Sequence, residues 1–240
     1  MRANVAQAAE RAKVAAAERA VERCVRPGLR LALGTGSTAT AAVRALARRF
    51  PEGRFDCVAS SRATEETARS VGIRVRPLAT KDRFDLMIDG ADEVTPRLDL
   101  TKGGGGALFR EKLLAHLSSE LVIVVDDSKL VGALGQRCPI PVEVVPFARP
   151  VLERELGAEG YQVRLRAAGD GGPFLTDNGN EILDLVPRRP IDAPGPVERS
   201  LRALVGVVEV GLFVGMARRL FVGHADGSVE ERAASTAASP

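Results

Sequence analysis

Aromatic residues are scarce in this sequence of 240 residues: tryptophan is absent, tyrosine occurs once, and aromatic side chains make up 4% of the total. Proteins that bind single-stranded nucleic acids stack the bases on aromatic rings, so this composition argues against such a platform. An excess of one charge is also lacking, because 34 basic residues are scattered among 31 acidic ones. We therefore expect no nucleic-acid partner, whereas a small anionic substrate is compatible with the net charge of +3.

Long apolar runs are absent as well. The strongest one, at 121–125, has the length of a strand, whereas a membrane helix needs about 18 or more apolar residues. The N-terminal segment carries Glu10, Glu18 and Glu22 among its basic residues and has no continuous apolar stretch, unlike a secretory or transit peptide. We expect no membrane partner and a cytoplasmic location.

Cysteine is rare and widely spaced. Cys24, Cys57 and Cys138 are odd in number, lie far apart in the chain and lack metal-ligand spacing. This pattern predicts free thiols in a reducing compartment better than it predicts disulfide bonds or a zinc site.

The first half of the chain alternates between predicted strands and helices. With 45% hydrophobic and 27% charged residues, the composition is that of an ordinary globular protein. The predicted strands are 29–33, 56–60, 74–78, 84–88 and 121–125, and the predicted helices are 4–25, 39–50, 63–71 and 107–119. Repeated alternation with apolar strands predicts an α/β fold whose parallel sheet is covered on both faces.

The pattern changes beyond residue 132, where prolines become frequent. The predicted elements here are strands at 142–145 and 161–165, a helix at 147–156 and a strand-turn-strand across 178–179. These elements predict a second, smaller α+β domain, after which the apolar segment 205–222 returns to the first sheet. The predicted domains are therefore 1–131 with 206–240, and 132–205. Residues 229–240 lack an apolar period and predict a frayed tail.

A glycine-rich loop at 34–39 follows the first predicted strand and opens a helix. Its sequence satisfies the G-x-G-x-x-G/A dinucleotide pattern, since glycine lets a phosphate approach the backbone at the helix N-terminus. The dinucleotide pattern also calls for an acid after the next strand, and that position reads Ser-Ser-Arg at 60–62. The hydroxyls of Ser37 and Thr38 suit a phosphate monoester. Dinucleotide binding and a plain structural turn are the alternatives.

An acidic segment, Asp89-Gly90-Ala91-Asp92-Glu93, directly follows the apolar strand at 84–88. Ligands of open α/β sheets bind outside the carboxyl ends of the strands, so this segment lies where a site is expected. A solvated acidic turn and a magnesium site are the alternatives, the latter because oxygen-rich clusters suit hard cations.

The segment 102–112 contains Lys102 and four consecutive glycines, 103–106. Four glycines are a costly choice for a passive linker, and their amides predict a ring of N–H donors for an oxyanion. Glu111 follows one turn into the next helix, where its carboxylate can reach whatever the loop binds. Alternatively, Glu111 complements the positive helix end or pairs with a basic residue.

A second acidic segment, Asp126-Asp127-Ser128-Lys129, follows the strand at 121–125. Lys129 either meets an anion there or offsets the two aspartates. The sequence alone leaves both interpretations open.

Taken together, these segments resemble type A ribose-5-phosphate isomerase. The matching stretches follow the family's order and are 34–38, 60–62, 88–93, 102–112, 126–129, 141–147, 176–180 and 211–216. The resemblance implies a Rossmann-like parallel-sheet domain with a second, smaller α+β domain, assembled as a homodimer or homotetramer. It also implies interconversion of D-ribose 5-phosphate and D-ribulose 5-phosphate in the non-oxidative pentose phosphate pathway, with neither a metal nor an organic cofactor.

The resemblance also assigns candidate roles to residues. Glu111 matches the proton acceptor and Lys129 a substrate-binding lysine. The candidate catalytic residues are Glu111, Asp89, Asp92 and Lys102. The candidate substrate-binding residues are Thr35, Gly36, Ser37, Thr38, Asp89, Gly90, Ala91, Asp92, Lys102, Gly103, Gly104, Gly105 and Lys129. Lys13 is a candidate for an N-terminal phosphate-binding lysine, but its spacing is longer than usual and we leave it out of the predicted site.

The residue types also fit the chemistry. An aldose becomes a ketose when a base removes the C2 proton, an enediolate forms and the proton returns to C1, so one carboxylate serves both carbons. Lys102 and the glycine amides can stabilise the enediolate, while the aspartates suit proton exchange with the sugar hydroxyls. The rival functions are a sugar-phosphate sensor, which usually carries a DNA-binding helix-turn-helix, and an NADP-dependent oxidoreductase, which leaves the four glycines unexplained.

Overall fold

The computed structural model describes residues 2–53 and 55–234. The α-helices are Arg2–Cys24 (α1), Ser37–Arg49 (α2), Arg62–Ser70 (α3), Leu108–His116 (α4), Arg149–Ala158 (α5) and Pro194–Arg202 (α6). The strands are Arg30–Leu33 (β1), Asp56–Ala59 (β2), Leu86–Asp89 (β3), Glu93–Val94 (β4), Leu100–Thr101 (β5), Leu121–Asp126 (β6), Ile140–Val144 (β7), Gln162–Leu165 (β8), Glu181–Val186 (β9), Val207–Val210 (β10), Leu212–Phe213 (β11), Ala217–Gly223 (β12) and Val229–Ala233 (β13). Contacts group the described residues into two compact units, one from Met1–Ala91, Leu113–Lys129 and Met216–Pro240, and the other from Asp92–Lys112 and Leu130–Gly215.

The first unit is built on a six-stranded sheet with the order β13-β12-β6-β3-β1-β2. Its paired strands run parallel except β13, which is antiparallel to β12. All six residues of β6 are buried, as expected for a strand in a parallel sheet with both faces covered. The prediction of an α/β fold with a Rossmann-like parallel sheet is confirmed.

Helix α1 packs closely against the sheet of the first unit, on β6 and β12. Its contact face is made of alanine, with Ala16, Ala17 and Ala20 fully buried. The helix backbone approaches so closely that a Cβ on Gly223 would lie 1.9 Å from the Ala12 carbonyl oxygen. The alanines of α1 thus both favour the helix and permit this close packing.

Three local predictions for the first unit need correction. Residues 74–78 form only an isolated bridge from Val75 to Cys57. They form no longer strand because Pro77 lacks an N–H and because the Arg76 guanidinium binds Asp56 and Asp82. Residues 229–233 are not a frayed tail but strand β13, which returns along β12 after a tight turn. Residues 235–240 of the predicted tail lie outside the described residues. Within 205–222, β12 joins the first sheet as predicted, whereas β10 belongs to the second unit.

The second unit contains an antiparallel four-stranded sheet with the order β10-β7-β9-β8 and a three-stranded sheet with the order β11-β5-β4. An aliphatic core that includes Leu152, Leu183 and Leu201 packs the larger sheet with helices α5 and α6. This is the second, smaller α+β domain that the sequence predicts.

The contacts place residues 92–112 and 206–215 in the second unit, whereas the sequence prediction assigns them to the first domain. The physical reason is strand pairing: β5 pairs with β4 and β11, and β10 pairs with β7. Within the described parts of the chain, no helix combines the length and apolar character needed to cross a bilayer.

Candidate active site

The predicted phosphate loop, 34–38, connects β1 to α2 in the first unit. Gly36 has a φ of 99°, which favours glycine, and it precedes the first turn of the 13-residue helix α2. Gly34 is required for a different reason, because a Cβ there would lie 2.0 Å from Oδ1 of Asp89. The two glycines therefore set the helix entry and leave room for a buried carboxylate.

Hydroxyl groups fix the conformation of this loop. The Thr35 hydroxyl lies 2.7 Å from Ser60 Oγ and 2.9 Å from Ser61 Oγ, and the Thr64 hydroxyl donates to the Gly34 carbonyl. Ser60 and Ser61 stand where a dinucleotide site would have its acid, and here they support the loop instead. At the loop's exposed end, the Lys13 ammonium donates to Ser37 Oγ at 3.3 Å. The structure thus brings Lys13, which the predicted site omits, to the phosphate loop.

Asp89 ends strand β3 and is completely buried. Its Oδ1 accepts hydrogen bonds from the backbone N–H groups of Gly90 at 2.7 Å and Thr35 at 3.1 Å. The next residue, Gly90, faces Thr38, whose Cβ would be 3.3 Å from a Cβ added at Gly90. Within the first unit the structure therefore brings together Thr35, Thr38, Asp89 and Gly90.

The other two carboxylates of the acidic segment have separate partners in the second unit. Asp92 Oδ2 accepts from the Gly104 N–H at 2.8 Å. Glu93 is fully buried and accepts from the backbone N–H groups of Gly135 and Arg137. The described residues include no group of three or more metal-ligating side chains arranged to hold an ion. Asp92 is thus tied to the four-glycine loop, while Glu93 anchors a neighbouring loop.

Lys102 and Glu111 form an ion pair at the two ends of the glycine segment. Lys102 Nζ lies 3.4 Å from Glu111 Oε2, and both side chains are only 3% exposed. Glu111 belongs to the first turn of α4, where its N–H donates to the Ala107 carbonyl. Lys102 directly follows β5, where its N–H donates to the Gly211 carbonyl, and its ammonium lies 5.4 Å from the centroid of the Phe213 ring. A buried ammonium beside a buried carboxylate places a positive charge next to a proton acceptor.

Two residues that are distant in the chain, Arg166 and Phe174, hold the glycine loop. Arg166 Nη1 donates to the carbonyl oxygens of Gly103 at 2.7 Å and Gly104 at 3.2 Å. Phe174 packs against Gly106, where an added Cβ would lie 2.5 Å from the ring. No sequence signal points to these contacts, because Arg166 and Phe174 lie more than 60 residues from the loop along the chain.

A buried carboxylate organises the loop 176–180. Glu143 Oε1 accepts hydrogen bonds from the side chains of Thr176, Asn178 and Asn180 at 2.9–3.0 Å. Arg110, the residue before Glu111, donates to Asn178 Oδ1 at 2.8 Å. The stretches around Glu143 and 176–180 carry part of the family resemblance, and the structure shows that they support the first turn of α4.

Lys129 lies in a 3-10 turn after β6 and is half-buried. The two preceding aspartates have other partners, since Asp126 binds Ser128 and Asp127 lies 3.2 Å from His224 Nδ1. Among the described residues the Lys129 ammonium makes no ion pair, so it does not neutralise these aspartates directly. The anion-binding role of Lys129 stays a prediction.

Comparison with known proteins gives a consistent result. The sequence model of the family described as ribose 5-phosphate isomerase A (phosphoriboisomerase A) matches residues 56–227. Ribose-5-phosphate isomerase A of Thermomicrobium roseum is 50% identical over 220 residues, covering 91% of this chain and 92% of the relative.

Solved structures agree with the sequence comparison. Ribose 5-phosphate isomerase A from Methanocaldococcus jannaschii has a TM-score of 0.86 at 36% identity, covering 92% of this chain and 97% of its own. A D-ribose-5-phosphate isomerase in complex with phospho-erythronic acid has a TM-score of 0.88 at 33% identity, covering 94% of this chain and 99% of its own. The resemblance in the sequence is confirmed, and the chain belongs to the ribose-5-phosphate isomerase A family.

Proposed function

We propose that this protein is an aldose-ketose isomerase that interconverts D-ribose 5-phosphate and D-ribulose 5-phosphate in the non-oxidative pentose phosphate pathway. Beside membership of the family, the main support for this proposal is the buried ion pair between Lys102 and Glu111 at the four-glycine loop. A carboxylate in this position can remove the C2 proton of the open-chain aldose and return it to C1. Glu111 is the base in this mechanism.

The negative charge that develops on the enediolate needs fixed donors. Lys102 supplies an ammonium, and the loop 103–105 supplies backbone N–H groups. Because these groups are held in place before the substrate binds, they need little reorganisation as the charge develops. Lys102 therefore acts as the electrostatic partner of Glu111 in catalysis.

Asp89 and Asp92 complete the proposed catalytic set. Each carboxylate is held by backbone N–H groups, Asp89 at Thr35 and Gly90 and Asp92 at Gly104. A carboxylate held in this way can exchange protons with sugar hydroxyls, including the one involved in opening the furanose ring. We assign this role to the two aspartates jointly.

The phosphate group is assigned to the loop at the start of α2. Backbone N–H groups at a helix N-terminus, together with the hydroxyls of Ser37 and Thr38, suit a phosphate monoester. Lys13 adds a positive charge beside Ser37. The remaining proposed substrate-binding residues are Thr35, Gly36, Gly90, Ala91, Gly103, Gly105 and Lys129.

The proposed mechanism uses neither a metal nor an organic cofactor, and the proposed partner is the sugar phosphate itself, with no nucleic acid and no membrane. The carboxylates of Asp89 and Asp92 accept N–H hydrogen bonds, and Lys102 supplies the positive charge. We expect full activity after exhaustive chelation. Activity that is lost in chelator and restored by magnesium would show that the aspartates hold a metal.

We also propose a homodimer or homotetramer and a cytoplasmic location. Two large apolar side chains in adjacent segments of the second unit are almost completely exposed, Phe147 at 95% and Val205 at 93%, which is typical of an association surface. All three cysteines are free thiols, as a reducing compartment would keep them. Light scattering on the parent protein and on a Phe147→Ser, Val205→Ser variant tests the assembly: a mass of one chain for the parent would contradict it.

The direct test of the function is to mix the purified protein with D-ribose 5-phosphate and to follow the ketose by absorbance. We expect rapid formation of D-ribulose 5-phosphate and far slower conversion of unphosphorylated D-ribose, which lacks the group that the α2 loop binds. Thermal stabilisation by ribose 5-phosphate without any ketose would instead indicate a sensor. Stabilisation by NADPH would favour an oxidoreductase.

A further inference from the structure

The four-glycine loop is bound on one side by a single guanidinium. Arg166 donates through Nη1 to the carbonyl oxygens of two successive residues, Gly103 and Gly104. The guanidinium is itself held by Asp184, with Nε–Oδ2 and Nη2–Oδ1 distances of 3.0 and 2.5 Å. Both side chains are less than one-fifth exposed. The bidentate pair therefore fixes the direction in which the guanidinium faces the loop.

The contact with the two carbonyls also determines where the loop's N–H groups point. In a trans peptide the carbonyl and the following N–H lie in one plane and point in opposite directions, and the described residues contain no cis peptide. With the Gly103 carbonyl directed at Arg166, the Gly104 N–H points away from it and donates to Asp92 Oδ2 at 2.8 Å. One peptide plane thus connects the guanidinium to the proposed catalytic aspartate.

The next peptide plane is held in the same way but leads to a different group. Because the Gly104 carbonyl also accepts from Arg166, the Gly105 N–H points to the side opposite the guanidinium. Within the described chain no acceptor binds the Gly105 N–H, and Gly105 is exposed. A backbone donor in a fixed direction, exposed and without a protein acceptor, is available to an oxyanion.

We propose that Arg166 is a positioning residue for the isomerisation: it holds two peptide planes of the glycine loop so that the Gly105 N–H faces the enediolate oxygen and the Gly104 N–H holds Asp92. Arg166 acts through the loop and touches no reacting atom. Lysine cannot replace it fully, because a single ammonium cannot bind Asp184 in a bidentate manner and both carbonyls as well. The inference rests on the proposed role of the loop 102–105 in substrate binding.

The test compares Arg166→Gln, Arg166→Lys and a control, Arg149→Gln, in three measurements: kcat, KM for ribose 5-phosphate, and inhibition by phospho-erythronic acid. The control removes a partly buried arginine of the same unit, whose described partners are Glu153 and Glu181 rather than the loop. Phospho-erythronic acid carries a planar carboxylate that resembles the charged enediolate. We expect Arg166→Gln to lower kcat about 10- to 100-fold with KM within about threefold of the parent.

Affinity for phospho-erythronic acid should fall by the same factor as kcat/KM, and Arg166→Lys should recover only part of both losses. Arg149→Gln should keep both values near those of the parent. A folded Arg166→Gln variant with unchanged kcat would overturn the proposal. So would equal losses of affinity for substrate and inhibitor, because these would show a general role in binding or stability.

Two further variants separate this inference from the proposed function. Lys102→Met should abolish turnover if the glycine segment is catalytic at all, so normal turnover in that variant would reject the proposed site itself. If Arg166→Gln does not fold, Asp184→Asn releases the guanidinium while leaving its charge. We expect that variant to show a smaller loss of kcat with the same selective loss of inhibitor affinity, and parental values would overturn the role of Arg166.

Discussion

At the scale of single residues, the glycines of the two loops make room for carboxylates. Gly34 and Gly104 have no positive φ, yet a Cβ would lie 2.0 Å from Asp89 Oδ1 in the first case and 2.6 Å from Asp92 Oδ1 in the second. Gly103 and Gly106, by contrast, have φ values of 102° and 80°, which other residues rarely adopt. The four glycines in a row therefore meet different requirements, of backbone conformation and of space.

Gly104→Ala tests the requirement for space. The backbone at Gly104 accepts an alanine, but the added methyl group must displace the Asp92 carboxylate from its hydrogen bond with the loop. We expect turnover to fall by about tenfold or more, since small misplacements of catalytic groups are costly, while thermal unfolding changes little. Gly157→Ala is the matched control, because a Cβ at Gly157 meets open space within helix α5. Parental turnover in Gly104→Ala would remove Asp92 from the catalytic set.

At the scale of secondary-structure elements, the sequence predicts most of the fold because apolar runs and glycine turns are local signals. Strand β6 and the loop before α2 are examples. Strand β13 has no apolar alternation because Glu230, Glu231 and Arg232 form its centre, and its pairing with β12 depends on the chain turning back at Gly227. The contacts of Arg166 and Glu143 cannot be predicted for a similar reason. They join residues more than 30 positions apart in the chain, and no local sequence pattern indicates which distant residues meet.

Glu143 provides a test at this scale, because one buried oxygen holds three side chains of the loop 176–180. Glu143→Ala removes hydrogen bonds to a charged group and leaves Thr176, Asn178 and Asn180 without that acceptor. We expect the free energy of unfolding to fall by about 3 kcal/mol or more in urea titrations. Glu159→Ala, at an exposed position, should stay within about 0.5 kcal/mol of the parent. Equal stability of the two variants would contradict the structural role of Glu143.

At the scale of the whole molecule, the two units have separate aliphatic cores, which explains how a chain with so few aromatic residues folds. The core of the first unit includes Cys57, and partly buried Cys24 packs against it. Burial raises the pKa of the Cys57 thiol to about 12 and that of Cys24 to about 11. Both thiols are therefore protonated at neutral pH while the protein is folded.

Thiol modification at pH 8 should report this difference, since the thiolate is the reactive form and a raised pKa lowers its fraction. We expect Cys57 and Cys24 to react far more slowly in the folded protein than in denaturant, and their rates to rise as the pH rises from 8 to 10. A Cys57→Ser variant identifies which slow phase belongs to Cys57. If Cys57 and Cys24 were modified as fast in the folded protein as in the unfolded chain, this part of the core would be open to solvent.

The central claim, that Glu111 is the base, is tested by Glu111→Gln, which keeps the size and position of the side chain but removes the proton acceptor. The matched control is Glu198→Gln, whose carboxylate pairs with a different lysine, Lys112. The measurements are turnover, ribose 5-phosphate binding by calorimetry, and exchange of the C2 hydrogen with deuterated solvent.

We expect Glu111→Gln to fold, to bind ribose 5-phosphate within about tenfold of the parent, and to lose at least about a hundredfold in turnover, because a general base contributes about 10²- to 10⁴-fold. Exchange at C2 should stop together with turnover, since both need the same proton abstraction, and Glu198→Gln should remain active. Turnover above about a tenth of the parental value in Glu111→Gln, or C2 exchange that persists after product formation has stopped, would contradict the single-base mechanism.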